Sequence, residues 1–165
     1  MTIKDHPLIV KNLLWSDESQ TRDFARALAA RLLGLPVAGD ALIELHGDLG
    51  AGKTALVRHL LQALGVTGRI KSPTYAVVET YTLEGPTPLN LWHFDFFRFN
   101  DPDEWEEAGF RDLFASPGLK LVEWPEKAGP HLPVPDLSLH LEVLDAQSRR
   151  VRLQGGTPTG RALIA

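Results

Sequence analysis

A chain of 165 residues, 44% hydrophobic and 23% charged, has the size and balance of one soluble globular domain. A net charge of −4 argues against a surface built to grip a nucleic-acid backbone directly, so any nucleic acid would come near through a partner. The absence of cysteine excludes disulfides and thiolate metal sites.

That absence also suits a reducing cytoplasm. No apolar run approaches the roughly 20 residues that span a bilayer, so no membrane role is expected. The start, MTIKDHPLIVKNLLW, has neither a long apolar core nor a small-residue cleavage signal. The reading is one cytoplasmic domain, residues 1–165.

In chain order, residues 8–14 (LIVKNLL) read as a first strand. Ser16 stands at a helix N-cap position, with Asp17 and Glu18 in the first turn where the dipole favours acids. Phe24, Leu28 and Leu32 lie on one helical face, and Gly34 and Pro36 end it. ALIELHG, 41–47, is a short apolar strand running into a glycine-rich loop. Residues 53–64 continue as a helix with Leu56, Leu60, Leu61 and Leu64 on one side and Gly65 as C-cap.

YAVVETYTL (75–83) and LNLWHFDFF (89–97) flank the turn EGPTP and predict an antiparallel hairpin. Asp101-Pro102-Asp103-Glu104 predicts a helix start, with a break near Gly109. LKLVEW, 119–124, reads as a buried strand, and the proline-rich 125–135 as a loop. LSLHLEVL and RRVRLQG predict two closing strands. The expected fold is a three-layer α/β phosphate-loop domain with a mixed sheet. Its parallel core would hold 41–46 and 119–124, with antiparallel strands added from 75–97 and 137–153.

GDLGAGKT, 47–54, fits G-x-x-x-x-G-K-[ST] between a strand and a helix, the context that phosphate-cradling loops have. Gly47, Gly50 and Gly52 let the backbone turn its N–H groups toward phosphate oxygens. Lys53 supplies a point charge for the β- and γ-phosphates, and Thr54 a hydroxyl for Mg²⁺. A second acid for the metal should end a neighbouring strand. Asp95, after LNLWHF, and Glu123, after LKLV, both qualify.

Thr74, in SPT (72–74), can serve as a switch residue or merely as part of a proline turn. His46, His93 and His140 lie in strand patterns and read as structural. Trp92, Phe94, Phe96 and Phe97 read as core, and Arg149, Arg150 and Arg152 as a solvated basic cluster. Trp124, between Glu123 and Pro125, reads either as core or as a partner contact.

GDLGAGKT (47–54), KSPTY (71–75), HFDFFR (93–98) and LVEWPE (121–126) together resemble the bacterial TsaE (YjeE-type) ATPases of tRNA threonylcarbamoyladenosine biosynthesis, over roughly residues 8–153. The resemblance implies a weakly active P-loop ATPase using ATP and Mg²⁺. It implies work with the TsaB–TsaD pair, which forms threonylcarbamoyladenosine beside the anticodon of tRNA, and ATP-driven resetting of that complex. It implies Thr54 and Glu123 as metal ligands, Lys53 as the phosphate lysine and Asp95 as an aspartate needed for hydrolysis. Thr74 matches a switch threonine and Trp124 a functionally important tryptophan. Glu18 and Thr21 fall in the segment lining base and ribose, and Gly50, Ala51, Gly52 and Ala55 in the loop around the phosphates. Arg149 or Arg150 would reach the nucleotide.

Phe97 stands where the family often has Tyr. Two other functions stay in view. A small-molecule kinase would need lid arginines, yet residues 99–145 hold only Arg111. A GTP switch would need Asn-Lys-x-Asp, which is absent, so adenine is the expected base.

Overall fold

The computed structural model describes residues 8–164. Residues 1–7 and 165, included in the expected domain, lie outside the described residues, as do the first seven positions of the N-terminal stretch read above. Seven strands form one sheet: β1 (Ile9–Trp15), β2 (Ala41–His46), β3 (Val78–Leu83), β4 (Leu89–Asp95), β5 (Leu119–Glu123), β6 (Leu137–Val143) and β7 (Arg149–Gly155), in the order β1-β7-β6-β2-β5-β4-β3. The helices are α1 (Glu18–Leu33), α2 (Lys53–Leu64), α3 (Glu104–Glu107), α4 (Phe110–Ala115) and α5 (Pro158–Ile164).

The parallel core is wider than expected. β2 pairs in parallel with β5 and β6, and β4 in parallel with β5. Each of the two later hairpins therefore gives one strand, β4 or β6, to the parallel core. Each keeps one antiparallel strand, β3 or β7, outside it, and β1 closes the edge on β7. A tight turn determines only the relation within a hairpin, so expecting both arms to be antiparallel to the core went too far.

Alternation along the strands builds the layers. Ile43, Leu45, Leu91, Leu119, Leu121 and Leu139 face α1, α2 and α5. Leu42, Phe94 and Val122 face the other way, into an aromatic cluster with Phe96, Phe99, Trp105, Phe110 and Phe114. The third layer is thus a short cover, α3 and α4, held by ring contacts such as Phe94 on Phe114 at 4.6 Å between centroids.

Several boundaries move for local reasons. The N-cap of α1 is Asp17, one residue after Ser16. Its carboxylate accepts from the N–H of Ser19 at 2.9 Å and of Gln20 at 3.3 Å. β3 starts at Val78 because Val77 turns through a positive φ of 69°. α3 begins at Glu104, since the Asp101 carboxylate first closes a turn on the Asp103 N–H at 2.8 Å. Gly109 (φ 77°) breaks the helix where expected. The 125–135 loop holds two 3₁₀ turns, Pro125–Lys127 and Gly129–His131. α5 was not anticipated, although Thr157-Pro158 carries its start signal: the Thr157 hydroxyl accepts from the Gly160 N–H at 3.0 Å.

Candidate functional site

The site lies at the carboxyl ends of β2, β5 and β4, where open α/β sheets place their ligands. Residues 47–52 leave β2 and deliver the chain to α2 through positive φ at Gly47 (149°), Gly50 (81°) and Gly52 (104°). At Gly47 a Cβ would stand 2.7 Å from the Leu141 carbonyl oxygen, so the loop needs glycine there for space as well as for conformation. The loop leads straight into the N-terminus of the 12-residue α2, whose unpaired N–H groups and dipole favour an anion.

Two cavities meet across this loop. One, about 310 Å³, is lined by Leu49, Gly50, Ala51, Gly52, Lys53, Thr54, Ala55, Thr74, Asp95, Phe97, Glu123 and Trp124. The other, about 560 Å³, shares Ala51, Gly52 and Ala55 and adds Trp15, Asp17, Glu18, Thr21, Gln147 and Arg149 among its walls. The fold thus brings together the residues singled out from the sequence. Arg150 is the exception: it is exposed and pairs with Glu142 at 3.3 Å.

The acids come from strand register. β4 pairs with β5 so that Asp95 lies opposite Glu123. The Thr54 hydroxyl reaches both Glu123 oxygens, at 3.0 Å to Oε1 and 3.2 Å to Oε2. Asp95 is set differently: its Oδ1 accepts the Phe97 N–H at 2.9 Å. Burial pushes the Asp95 carboxyl above the usual carboxylate range, and that N–H works against the shift.

Lys53 is 4% exposed. Its ammonium donates to the Gly47 carbonyl and lies 3.7 Å from the Trp124 ring centroid. Burial lowers its proton affinity, opposed mainly by Glu123 and Glu126. Trp124 adopts φ 56°, a left-handed conformation that a bulky residue rarely takes, and its ring meets Phe97 at 5.1 Å. The Thr74 hydroxyl is 2.9 Å from that of Ser72.

Thr54 and Glu123 are hard oxygen donors beside an anion-binding helix start. They suit a divalent cation that completes its shell with phosphate and water oxygens. Among the described residues no group of three or more His, Asp or Glu side chains forms a metal cage.

His93 and His59 escaped the sequence reading as participants, and Arg149, one of two arginines expected at the nucleotide, makes loop contacts that it did not foresee. His93 bonds Glu123, Arg149 bonds carbonyls of the loop, and His59 on α2 pairs with Glu18 on α1 at 3.0 Å. A strand histidine and a hairpin arginine carry no sequence mark of such contacts. They depend on register between distant strands.

Fold and loop together define a P-loop-type α/β protein. The crystal structure of Bacillus subtilis YdiB has the same fold, with a TM-score of 0.73 at 24% identity over 96% of this chain and 94% of that one. The family pattern described as threonylcarbamoyl adenosine biosynthesis protein TsaE matches residues 15–151. A Haemophilus influenzae protein named tRNA threonylcarbamoyladenosine biosynthesis protein TsaE is 38% identical over 90% of this chain and 92% of its own length. The Bacillus subtilis protein of that name is 32% identical over 86% and 85%. The chain belongs to the TsaE family.

Proposed function

We propose that this protein acts in tRNA threonylcarbamoyladenosine biosynthesis as a slow Mg²⁺-dependent ATPase, resetting a TsaB–TsaD complex between rounds without forming the new bond itself. Family membership supports the pathway. The observation that carries the ATPase reading is the Thr54–Glu123 pair at the head of α2, 3.0 Å apart and facing the loop. An orienting acid on the hydroxyl that follows the loop lysine is what a Mg–triphosphate site needs.

In this reading the larger cavity takes base and ribose against Glu18 and Thr21. The smaller takes the phosphates against Gly50 to Ala55. Thr54 and Glu123 would hold Mg²⁺, which when bound offsets charge building on the phosphate oxygens. Lys53 exchanges its Gly47 carbonyl for phosphate oxygen. Asp95 orients the attacking water and accepts its proton, a role for which a carboxyl raised by burial is suited. Thr74 reports the γ-phosphate from the 72–74 loop.

A kinase is less well supported. Arg111 pairs with Glu106, its side chain 71% exposed, and lines neither cavity. No described helix is long and apolar enough to cross a membrane, in keeping with action on a cytoplasmic tRNA-modifying complex.

The test combines the chain with TsaB and TsaD proteins, tRNA and labelled threonine, under single and multiple turnover. Added chain and hydrolysable ATP should raise multiple-turnover yield and leave the first round unchanged. Equal stimulation by a Lys53→Ala variant, or transfer of the γ-phosphoryl group to a small acceptor rather than to water, overturns the reading.

A further inference from the structure

His93 reads as a structural histidine in the sequence, and in the fold it is buried against the site acid Glu123. It is 1% exposed, on the same face of β4 as Asp95. Its Nε2 lies 2.6 Å from Glu123 Oε2, and its Nδ1 is buried with no partner among the described residues. An ionised carboxylate only accepts, so Nε2 carries the hydrogen of that bond. The ring therefore spends its one satisfied contact on the site acid.

We propose that His93 is a positioning residue for Glu123: its Nε2–H anchors Oε2, so that Oε1 and the Thr54 hydroxyl are presented together to a divalent cation in the phosphate cavity. The proposal deepens the Mg–ATP reading and rests on it.

The geometry supports this division of labour. Oε1 is the oxygen nearer Thr54, at 3.0 Å against 3.2 Å for Oε2, and Oε2 is the one that His93 holds. The last torsion of a glutamate is broad, so an unanchored carboxylate samples many orientations. Anchoring one oxygen on a buried, ring-rigid donor removes that freedom before any cation arrives. The donor comes from β4 and the acid from β5, and the parallel register that sets Asp95 opposite Glu123 also sets His93, two residues earlier, opposite Leu121 on the same face. Hydrogen-bond donors behind metal-binding groups commonly contribute ~10–100-fold to metal affinity.

The experiment uses the full chain with His93→Gln, His93→Leu and His93→Asn. Binding of a fluorescent ATP analogue is titrated in EDTA and against Mg²⁺, and Mn²⁺ binding in the presence of nucleotide is followed by electron paramagnetic resonance. His93→Leu should keep EDTA-condition nucleotide affinity within about twofold while its half-saturating cation concentration rises ~10–100-fold. His93→Gln sets an amide nitrogen near the place of Nε2 and should recover most of that loss. His93→Asn, whose nitrogen stops near the place of Nδ1, should not.

Wild-type cation dependence in folded His93→Leu overturns the proposal. Should His93→Leu not fold, the Gln and Asn variants decide, and equal cation dependence in these two overturns it. A wild-type protein whose nucleotide binding ignores Mg²⁺ and Mn²⁺ removes the Mg–ATP reading and this proposal together. A failure confined to the variants leaves that reading standing.

Discussion

Lys53 and Asp95 are both charged groups held where water scarcely reaches, and each is the less stable for it in the free protein. The Lys53 ammonium donates to the Gly47 carbonyl and sits on the Trp124 ring, contacts that a phosphate would replace in the proposed function. Lys53→Ala should weaken ATP binding by ~10–100-fold, the usual worth of a charge-assisted contact of ~1.5–3 kcal/mol, while leaving the melting temperature of the free protein near wild type. Titration with a fluorescent ATP analogue and a thermal melt check both halves; unchanged binding with unchanged hydrolysis would remove the phosphate-loop reading. Asp95 allows a test of sign. Its folded-state pKa is raised by burial, so below the ordinary aspartate range both states are protonated and nothing is lost. As pH climbs through that range and then through the raised value, the unfolded state ionises first, and stability falls. Asp95→Asn keeps an oxygen for the Phe97 N–H and removes the charge. It should therefore melt a few degrees higher than wild type at pH 7 and about equally near pH 3, while hydrolysis slows by ~10²–10⁴-fold, the range for loss of a general base. Melting curves at the two pH values decide the first claim. A variant that melts lower at pH 7 would show that Asp95 is stabilising and that the sign is wrong.

The loop from Gly47 to Gly52 is an element without regular hydrogen bonding of its own, and β7 supplies what it lacks. Arg149 Nε donates to the Ala51 carbonyl at 2.9 Å and Nη2 to that of Gly50 at 3.4 Å, while Nη1 grips Asp145 and Ser148 carbonyls, each at 2.9 Å. The guanidinium thus fixes two carbonyls of the loop at once, and a planar fork suits that task better than a point charge. Arg149→Lys and Arg149→Met should both weaken ATP binding, by ~3–10-fold, with faster amide exchange at Gly50 to Gly52. Wild-type affinity in Arg149→Lys would make the residue a source of positive potential and nothing more. The same element shows what could be read in advance. The loop, the Gly65 cap, the Gly109 break and the strands ending in Asp95 and Glu123 follow from local chemistry and periodicity, and all were legible. Arg149 and Arg150 looked alike in sequence. Only the β6–β7 register and the turn at Asp145 put one against the loop and the other on Glu142 in solvent. His93, read as structural, gave no sign of Glu123 for the same reason, since that partner lies 30 residues away on a parallel strand. The 3.6-residue and 2-residue periods report which side of an element is apolar, and they are silent on which distant strand comes to lie beside it.

At the scale of the whole molecule, the sheet order places the β2 loop, β5 and β4 side by side, and the chain leaving β5 passes at once through Trp124 to the turn Pro125–Lys127, in which Pro125 is buried and Glu126 exposed. Trp124 thus lines the smaller cavity and stands two residues before the exposed Glu126. Its φ of 56° stores backbone strain, of order 1–3 kcal/mol. Its ring sits on the Lys53 ammonium, so a phosphate that draws the ammonium away leaves the indole without that contact. A side chain so placed is suited to display nucleotide state to another protein, and large aromatics are frequent interface anchors. Trp124→Ala should leave ATP binding by the isolated chain no weaker than wild type, and ~5–30-fold tighter, because the cation–π contact it loses, worth ~1–2 kcal/mol, belongs to the free state and its loss favours the bound one. In the presence of TsaB and TsaD proteins the variant should support a normal first round of tRNA threonylcarbamoylation and fail to sustain later rounds. Phe97, 5.1 Å from the indole, is the control: Phe97→Leu keeps an apolar wall and should retain most multiple turnover. Normal multiple turnover by Trp124→Ala, or a loss matched by an unfolded far-ultraviolet spectrum, would make the indole a core residue and leave the coupling between cavity and surface without a carrier.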